Sequence, residues 1–154
     1  MRELRLLSAL ATIAMMAAPG LAAARGVSAI AGKPQYPTEG YCWEGSNNTL
    51  GAVRNGCPST KVWVMPAVID APGWYVATTT VYALNTSATV GCMVEGVNAA
   101  ANWHWFEPML YVQSFGSDQQ ISTKGAYVPA GGQLYIHCEV GPGSWIKGTT
   151  WALQ

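Results

Sequence analysis

General acid–base chemistry near neutral pH would have to use His104 or His137, since these are the chain's two histidines. His104 lies three residues before Glu107. Residues three apart on an extended strand point to opposite faces, so this pair makes contact only if the segment bends at Pro108. His137 lies in a strand-like segment and alternates to the face opposite Cys138. We interpret both histidines as structural and predict no catalytic residue.

Two carboxylates follow cysteines at short spacing. Glu95 lies three residues after Cys92, and Glu139 comes directly after Cys138. If those cysteines pair across strands, the carboxylates lie near each other and could form a glycosidase pair or a site for a hard metal ion. The default for such groups is exposure to water, so we favour two solvated charges at strand ends. We predict no metal and no cofactor.

Aromatic residues are the most pronounced feature, with 7 Trp and 7 Tyr against 2 Phe. In the segment that begins at Asn102, alternation places Trp103 and Trp105 on one face of a strand. That face either fills the core or forms a platform on which sugar rings could stack. The residues predicted to bind a ligand are Trp103, Trp105, Tyr111 and Trp145.

The four cysteines, Cys42, Cys57, Cys92 and Cys138, form an even set in a chain that we expect to be exported, which indicates disulfides. Three connectivities are possible, and we favour Cys42–Cys57 with Cys92–Cys138. The first pair brackets a polar loop. The second pair lies on the apolar side of two strand-like segments and could meet inside a sandwich. A zinc site is the rival interpretation, but the chain contains no C-x-x-C pair.

The N-terminus has the pattern of a secretory signal peptide. Arg2 and Arg5 precede an apolar stretch from Leu6 to Ala18, and small residues follow up to Ala24. The apolar stretch is shorter than the roughly 20 residues that span a bilayer. We predict a signal peptide over residues 1–24, no transmembrane segment in the mature chain, and a bacterial protein that is secreted or held in the periplasm or cell envelope.

Charged residues are scarce, at 8 Lys and Arg and 8 Asp and Glu, or 10% of the chain. A typical soluble domain has about a quarter of its residues charged. This scarcity excludes a nucleic-acid partner bound through a basic patch and an ordinary coiled coil. The chain also contains no G-x-S-x-G and no phosphate-binding glycine motif. The sequence does not identify a partner, and an extracellular glycan or an envelope component is the kind that we consider.

Short apolar and β-branched segments separated by Gly, Pro and Asn predict an all-β antiparallel sandwich, jelly-roll or immunoglobulin-like. We assign residues 25–38 to a flexible arm and residues 39–154 to a single domain. We also expect residues 74–84 and 89–97 to form a hairpin. The other predicted strands are 61–69, 103–115 with a bend near Pro108, 120–128 broken by Gly125, 133–140 and 145–153.

Three stretches carry a resemblance. They are Gly51-Ala52-Val53-Arg54-Asn55 followed by Cys57, the run from Tyr82 to Cys92, and Leu134-Tyr135-Ile136-His137-Cys138. Together they resemble small exported bacterial proteins of uncharacterised function that are two-disulfide β-sandwiches. The resemblance implies export, two disulfides and the fold class, and it brings no catalytic or binding residues.

The sequence therefore supports three functional interpretations. The leading one is an exported, non-enzymatic structural or interaction module of unknown specific role. The first alternative is a carbohydrate-binding, lectin-like module that uses the Trp-rich strand. The second alternative is a secreted hydrolase inhibitor that presents the disulfide-tied loop from Trp43 to Gly56.

Overall fold

The computed structural model describes residues 24–45 and 51–154, and most of these residues lie in β-strands. The signal peptide predicted for residues 1–24 lies outside this range except for its last residue. The strands are β1 (Arg25–Ser28), β2 (Lys33–Pro34), β3 (Trp43–Gly45), β4 (Val53–Asn55), β5 (Lys61–Ala67), β6 (Gly73–Tyr82), β7 (Val90–Val97), β8 (His104–Phe106), β9 (Leu110–Tyr111), β10 (Asp118–Ser122), β11 (Ala126–Val128), β12 (Gln133–Val140) and β13 (Trp145–Leu153).

The strands form two antiparallel sheets, which confirms the predicted β-sandwich. The seven-stranded sheet has the order β10-β6-β13-β4-β3, with β1 also beside β13 and β11 also beside β6. The six-stranded sheet has the order β2-β5-β12-β7-β8, with β9 also beside β7. In β12, alternate side chains are buried between the sheets while those between them face outward. This alternation of period two is what a half-buried strand requires.

Strands β6 and β7 do not form the predicted hairpin, because they belong to different sheets. The connection between them is held by Ser144, whose side chain is fully buried. Its hydroxyl donates to the carbonyl of Ala88 at 2.5 Å and accepts from the amide of Leu84 at 3.0 Å. A contact with a residue about 60 positions away thus directs the chain from one sheet to the other.

Two predicted strands are each divided in two. The segment 103–115 becomes β8 and β9, with Pro108 between them, because proline has no amide hydrogen for the ladder. The segment 120–128 becomes β10 and β11, and Gly125 between them has φ +115°, a conformation that side chains disfavour.

Residues 25–38, expected as a flexible arm, are paired with both sheets in the structure. Strand β1 runs beside β13 from the Arg25–Trp151 pair to the Ser28–Gly148 pair, and β2 pairs with β5. Two short 3-10 turns, Ala29–Ala31 and Pro37–Cys42, also lie here. Edge strands join a sheet through backbone hydrogen bonds, so these two could not be predicted from an apolar pattern.

Among the described residues, no helix is long and apolar enough to cross a membrane.

The structure contains the disulfides Cys42–Cys57 and Cys92–Cys138, the pairing that the sequence favoured. Cys92 and Cys138 occupy directly opposite positions on β7 and β12, and both are fully buried in the core. The bond therefore joins neighbouring strands of the six-stranded sheet, and it fixes their register.

Candidate functional site

The outer face of the six-stranded sheet carries a row of polar and aromatic side chains. Strand β12 points Tyr135, His137 and Glu139 outward, because the residues between them are buried in the core. In the register of β12 with β7, Tyr135 lies opposite Glu95, and His137 lies opposite Met93. Glu95 is thus diagonal to His137, within reach of its ring.

Glu95 is paired with two histidines. Its Oε1 lies 2.6 Å from His104 Nδ1, and its Oε2 lies 2.7 Å from His137 Nε2. The side chains of Glu95 and His137 are only 16% and 15% exposed, whereas that of His104 is about half exposed. Burial lowers the pKa of His137, and the nearby Glu95 carboxylate only partly offsets this effect. The pair is therefore a mostly buried carboxylate beside a histidine whose neutral form is favoured by burial.

These groups line a cleft of about 290 Å³, which we call the Glu95 cleft. Its polar lining consists of Lys33, Glu95, Asn98, His104, Gln133 and His137, together with the ring of Tyr135. The rings of Tyr135 and His137 meet edge to face, with centroids 6.3 Å apart. Convergent polar groups around an aromatic ring are typical of a small-molecule binding site.

The loop at one end of the cleft is held by Asn98. Its Oδ1 accepts the amides of Asn102 at 3.0 Å and Trp103 at 3.2 Å, and its Nδ2 donates to Asn102 Oδ1 at 2.7 Å. Ala101 in the same loop has φ +54°, an uncommon conformation for a residue with a side chain. The loop holds Trp103 at the protein surface, where its side chain is 66% exposed.

Tyr111 lies at the opposite end of the same face. Its ring covers Gly91, where a Cβ atom would come within 2.5 Å of it. Its hydroxyl donates to Glu139 Oε2 at 2.6 Å, and this hydrogen bond to a carboxylate is the main cause that raises the pKa of Tyr111 to about 12. The ring is therefore fixed across the sheet by a charge-assisted hydrogen bond.

The structure does not bring the four predicted ligand-binding residues together. Trp103 is exposed and does not line the cleft, and Trp105 packs against Tyr127 with ring centroids 5.8 Å apart. Tyr111 lies at the far end of the outer face. Trp145 belongs to the other sheet, where the guanidinium of Arg54 lies 5.8 Å from its ring centroid. One shared platform is therefore absent for this set.

The two pairs that were considered from the sequence and not favoured, His104 with Glu107 and Glu95 with Glu139, are not formed in the structure. His104 contacts Glu95 and not Glu107. Glu95 and Glu139 lie four register positions apart, or about 13 Å along the strands, so they form no carboxylate pair. Glu95 is also not a solvated strand-end charge, because the two histidines cover it. Within residues 24–45 and 51–154, no group of three His, Cys, Asp or Glu side chains has the geometry to hold a metal ion.

The cluster of Glu95 with His137 was not predicted, although the sequence carries a signal for it. If Cys92 and Cys138 lie opposite each other on antiparallel strands, every other opposite pair has residue numbers with the same sum, 230. That register sets Glu95 against Tyr135, next to His137.

The expected inhibitor loop from Trp43 to Gly56 contains residues 46–50, which lie outside the described residues.

No family model and no curated protein matches this chain. Its structure is similar to the C-terminal CBM6 of LamC, a marine laminarinase from Zobellia galactanivorans, with TM-score 0.54 and 13% identity over 84% of this chain and 99% of that chain. It is similar to the CBM36-1 domain of a multidomain xylanase from the hindgut metagenome of Trinervitermes trinervoides, with TM-score 0.56 and 15% identity over 86% and 98%. For the carbohydrate-binding module CBM6cm-2 from Cellvibrio mixtus lichenase 5A in complex with cellotriose, the TM-score is 0.52 and the identity 13% over 84% and 97%.

Likeness at these identities shows the fold, a β-sandwich shared with carbohydrate-binding modules. The resemblance to uncharacterised two-disulfide proteins therefore holds only in its coarser form, a small β-sandwich with two disulfides. The leading functional interpretation, a structural or interaction module of unknown role, is corrected by the same finding. The recurrence of carbohydrate-binding modules among these structures favours the carbohydrate-binding alternative over it.

Proposed function

We propose that this chain is an exported, non-catalytic domain that binds an uncharged glycan in the Glu95 cleft. The observation that carries the proposal is the cleft itself, where hydrogen-bonding groups converge around the ring of Tyr135. Two disulfides are typical of proteins that work in an oxidising, extracellular environment. The likeness to carbohydrate-binding modules supports the choice of ligand.

The cleft offers the two kinds of contact that a sugar ring needs. The apolar side of the ring would stack on Tyr135, and its hydroxyls would bond to Glu95, Gln133 and Lys33. The lining of the cleft contains one acidic residue, Glu95, and one lysine, Lys33, while burial favours the neutral form of His137. The charges balance, which favours an uncharged sugar over a uronic acid.

Trp103 would extend this site at its rim. Its exposed ring lies on the loop that Asn98 holds, and Asn98 and Ala101 of that loop line the cleft. Large aromatic rings exposed beside a cleft are typical of binding surfaces. In this proposal Trp103 is a binding residue, while Trp105 supports the fold through Tyr127.

Isothermal titration with laminarihexaose, xylohexaose, mannohexaose and cellohexaose tests the proposal. A hydrogen bond to a charged group contributes about 1.5–3 kcal/mol, so Glu95→Gln should weaken binding of the best probe by about tenfold or more. Tyr135→Ala should weaken it to a similar degree by removing the stacking surface. Trp103→Ala should have a smaller effect in the same direction.

Tyr41→Ala is the matched control, because Tyr41 is 82% exposed and lies outside the cleft. It should bind like the unmodified chain, and thermal unfolding should show that every variant remains folded. Failure of all four probes to bind would refute the proposal. Unchanged binding by folded Glu95→Gln and Tyr135→Ala would show that the glycan binds elsewhere.

A further inference from the structure

The outer face of the seven-stranded sheet is lined by uncharged hydroxyl, amide and glycine residues. Strand β6 points Thr78 and Thr80 outward, and β13 places Thr150 and Gly148 opposite them. On the other side of β6, Gln120 of β10 lies opposite Thr80. A shallow trough of about 440 Å³ runs over these residues, and it is separate from the Glu95 cleft on the other sheet.

The floor of this trough is kept open by two glycines. A Cβ atom on Gly148 would lie 3.2 Å from the carbonyl oxygen of Val27, and Gly26 faces Thr150 across the β1–β13 ladder. The one lysine that lines the trough is Lys147, at the point where the register of β13 with β6 shifts. Its ammonium pairs with Asp118, so the trough presents balanced charge.

Aromatic residues lie further along β6 in both directions, outside the residues that line the trough. Tyr82 lies opposite Trp145 at one end, and Trp74 lies opposite Tyr127 at the other. Arg54 lies over the Trp145 ring and limits its freedom. The nine residues from Trp74 to Tyr82 along β6 span about 26 Å at the usual rise of a strand. This distance suits an extended chain molecule better than a single sugar.

We infer that this trough is a second glycan-binding surface, which takes an extended, uncharged polysaccharide chain lying along β6 and β13. Apart from Lys147, which is paired with Asp118, the side chains that line the trough are uncharged, and its threonine hydroxyls and the Gln120 amide can hydrogen-bond to the hydroxyls of a sugar chain. The aromatic pairs at the ends supply stacking surfaces. The class of ligand rests on the proposed function. The trough and the Glu95 cleft are lined by different residues, so an experiment can refute either proposal without the other.

Titration with the best-binding hexasaccharide of the four probes tests the inference. The unmodified chain should bind two molecules per chain. Thr80→Lys, which puts a long charged side chain on the trough floor, should leave one binding site, and Trp145→Ala should weaken the same site by about tenfold. Thr60→Lys is the matched control, because Thr60 is an exposed residue that lines neither site. Tyr135→Ala should weaken binding in the Glu95 cleft by about tenfold and leave binding in the trough unchanged.

Each outcome decides one of the two proposals. One site per chain, lost in Tyr135→Ala and unchanged in folded Thr80→Lys and Trp145→Ala, would overturn the trough and leave the Glu95 cleft standing. One site lost in Thr80→Lys and unchanged in Tyr135→Ala would support the trough and refute the cleft. If no hexasaccharide and no matching polysaccharide binds, both proposals are wrong.

Discussion

Replacing Cys92 and Cys138 together by alanine should destabilise the chain more than replacing Cys42 and Cys57. A disulfide restricts the unfolded chain, and the effect grows with the length of the closed loop. Cys92 and Cys138 are 46 residues apart in the sequence, whereas Cys42 and Cys57 are 15 residues apart. Chain-entropy arithmetic gives about 4 kcal/mol for the longer loop and about 3 kcal/mol for the shorter one.

Packing increases the difference between the two pairs. Cys92 and Cys138 are both fully buried, so their removal also takes two sulfur atoms out of the core. Cys57 is only partly buried, so removal of the shorter disulfide costs less core contact. The free energy of unfolding should therefore fall by at least about 4 kcal/mol in the first double variant. For a domain with a usual stability of about 5–15 kcal/mol, this is a large part of the total.

Urea unfolding followed by tryptophan fluorescence would measure both losses. The slope of free energy against urea should be compared among the three proteins, since a changed slope would indicate a changed unfolded state. A loss below about 1 kcal/mol in the Cys92–Cys138 variant, or a loss smaller than in the Cys42–Cys57 variant, would refute the reasoning from loop length and burial.

Three further changes have defined outcomes. Because burial lowers the pKa of His137, the unfolded chain binds a proton more readily, and stability should decrease as the pH falls below about 6.5, by at most about 1.4 kcal/mol per pH unit. Urea titrations of His137→Gln between pH 7 and 5 should show a weaker dependence, and equal slopes would contradict this explanation. Glu139→Gln should bring the pKa of Tyr111 down from about 12 towards 10, as read from ultraviolet absorbance, and an unmoved value would rule out the hydrogen bond as its cause. Gly96→Ala should lower the melting temperature strongly, because its Cβ would lie 2.0 Å from the carbonyl oxygen of Tyr127; an unchanged melting temperature would refute that contact.

Local patterns predicted most of the fold. The alternation along residues 133–140 matches β12, because that strand buries one face. The strand predicted over residues 145–153 matches β13. The pairing of Cys92 with Cys138 followed from their place on the apolar side of such strands. Contacts between distant segments were beyond reach, since no local pattern records the backbone pairing of β1 with β13 or the way Ser144 directs the chain between sheets.

The candidate site was harder to predict from the sequence for the same reason. Alternation placed Trp103 and Trp105 on one face, but it does not say which side of the sheet that face lies on. Trp103 precedes β8, whereas Trp105 lies within it, opposite Gly96, and packs against Tyr127. Which residues of β7, β8 and β12 share the other face depends on register, and register depends on long-range pairing.

Because the chain has few charged residues, the mostly buried position of Glu95 needs an explanation. Placing a carboxylate where only 16% of its side chain is exposed costs free energy, and a buried carboxylate is normally stable only with partners. A chain with few charges has no need to put one there for the sake of folding, because an apolar residue at position 95 would pack on the sheet at lower cost. The position of Glu95 beside two histidines in a cleft is therefore better explained by binding than by stability. If that is correct, Glu95→Gln should lose glycan affinity with little loss of stability, whereas a structural role would produce the opposite result.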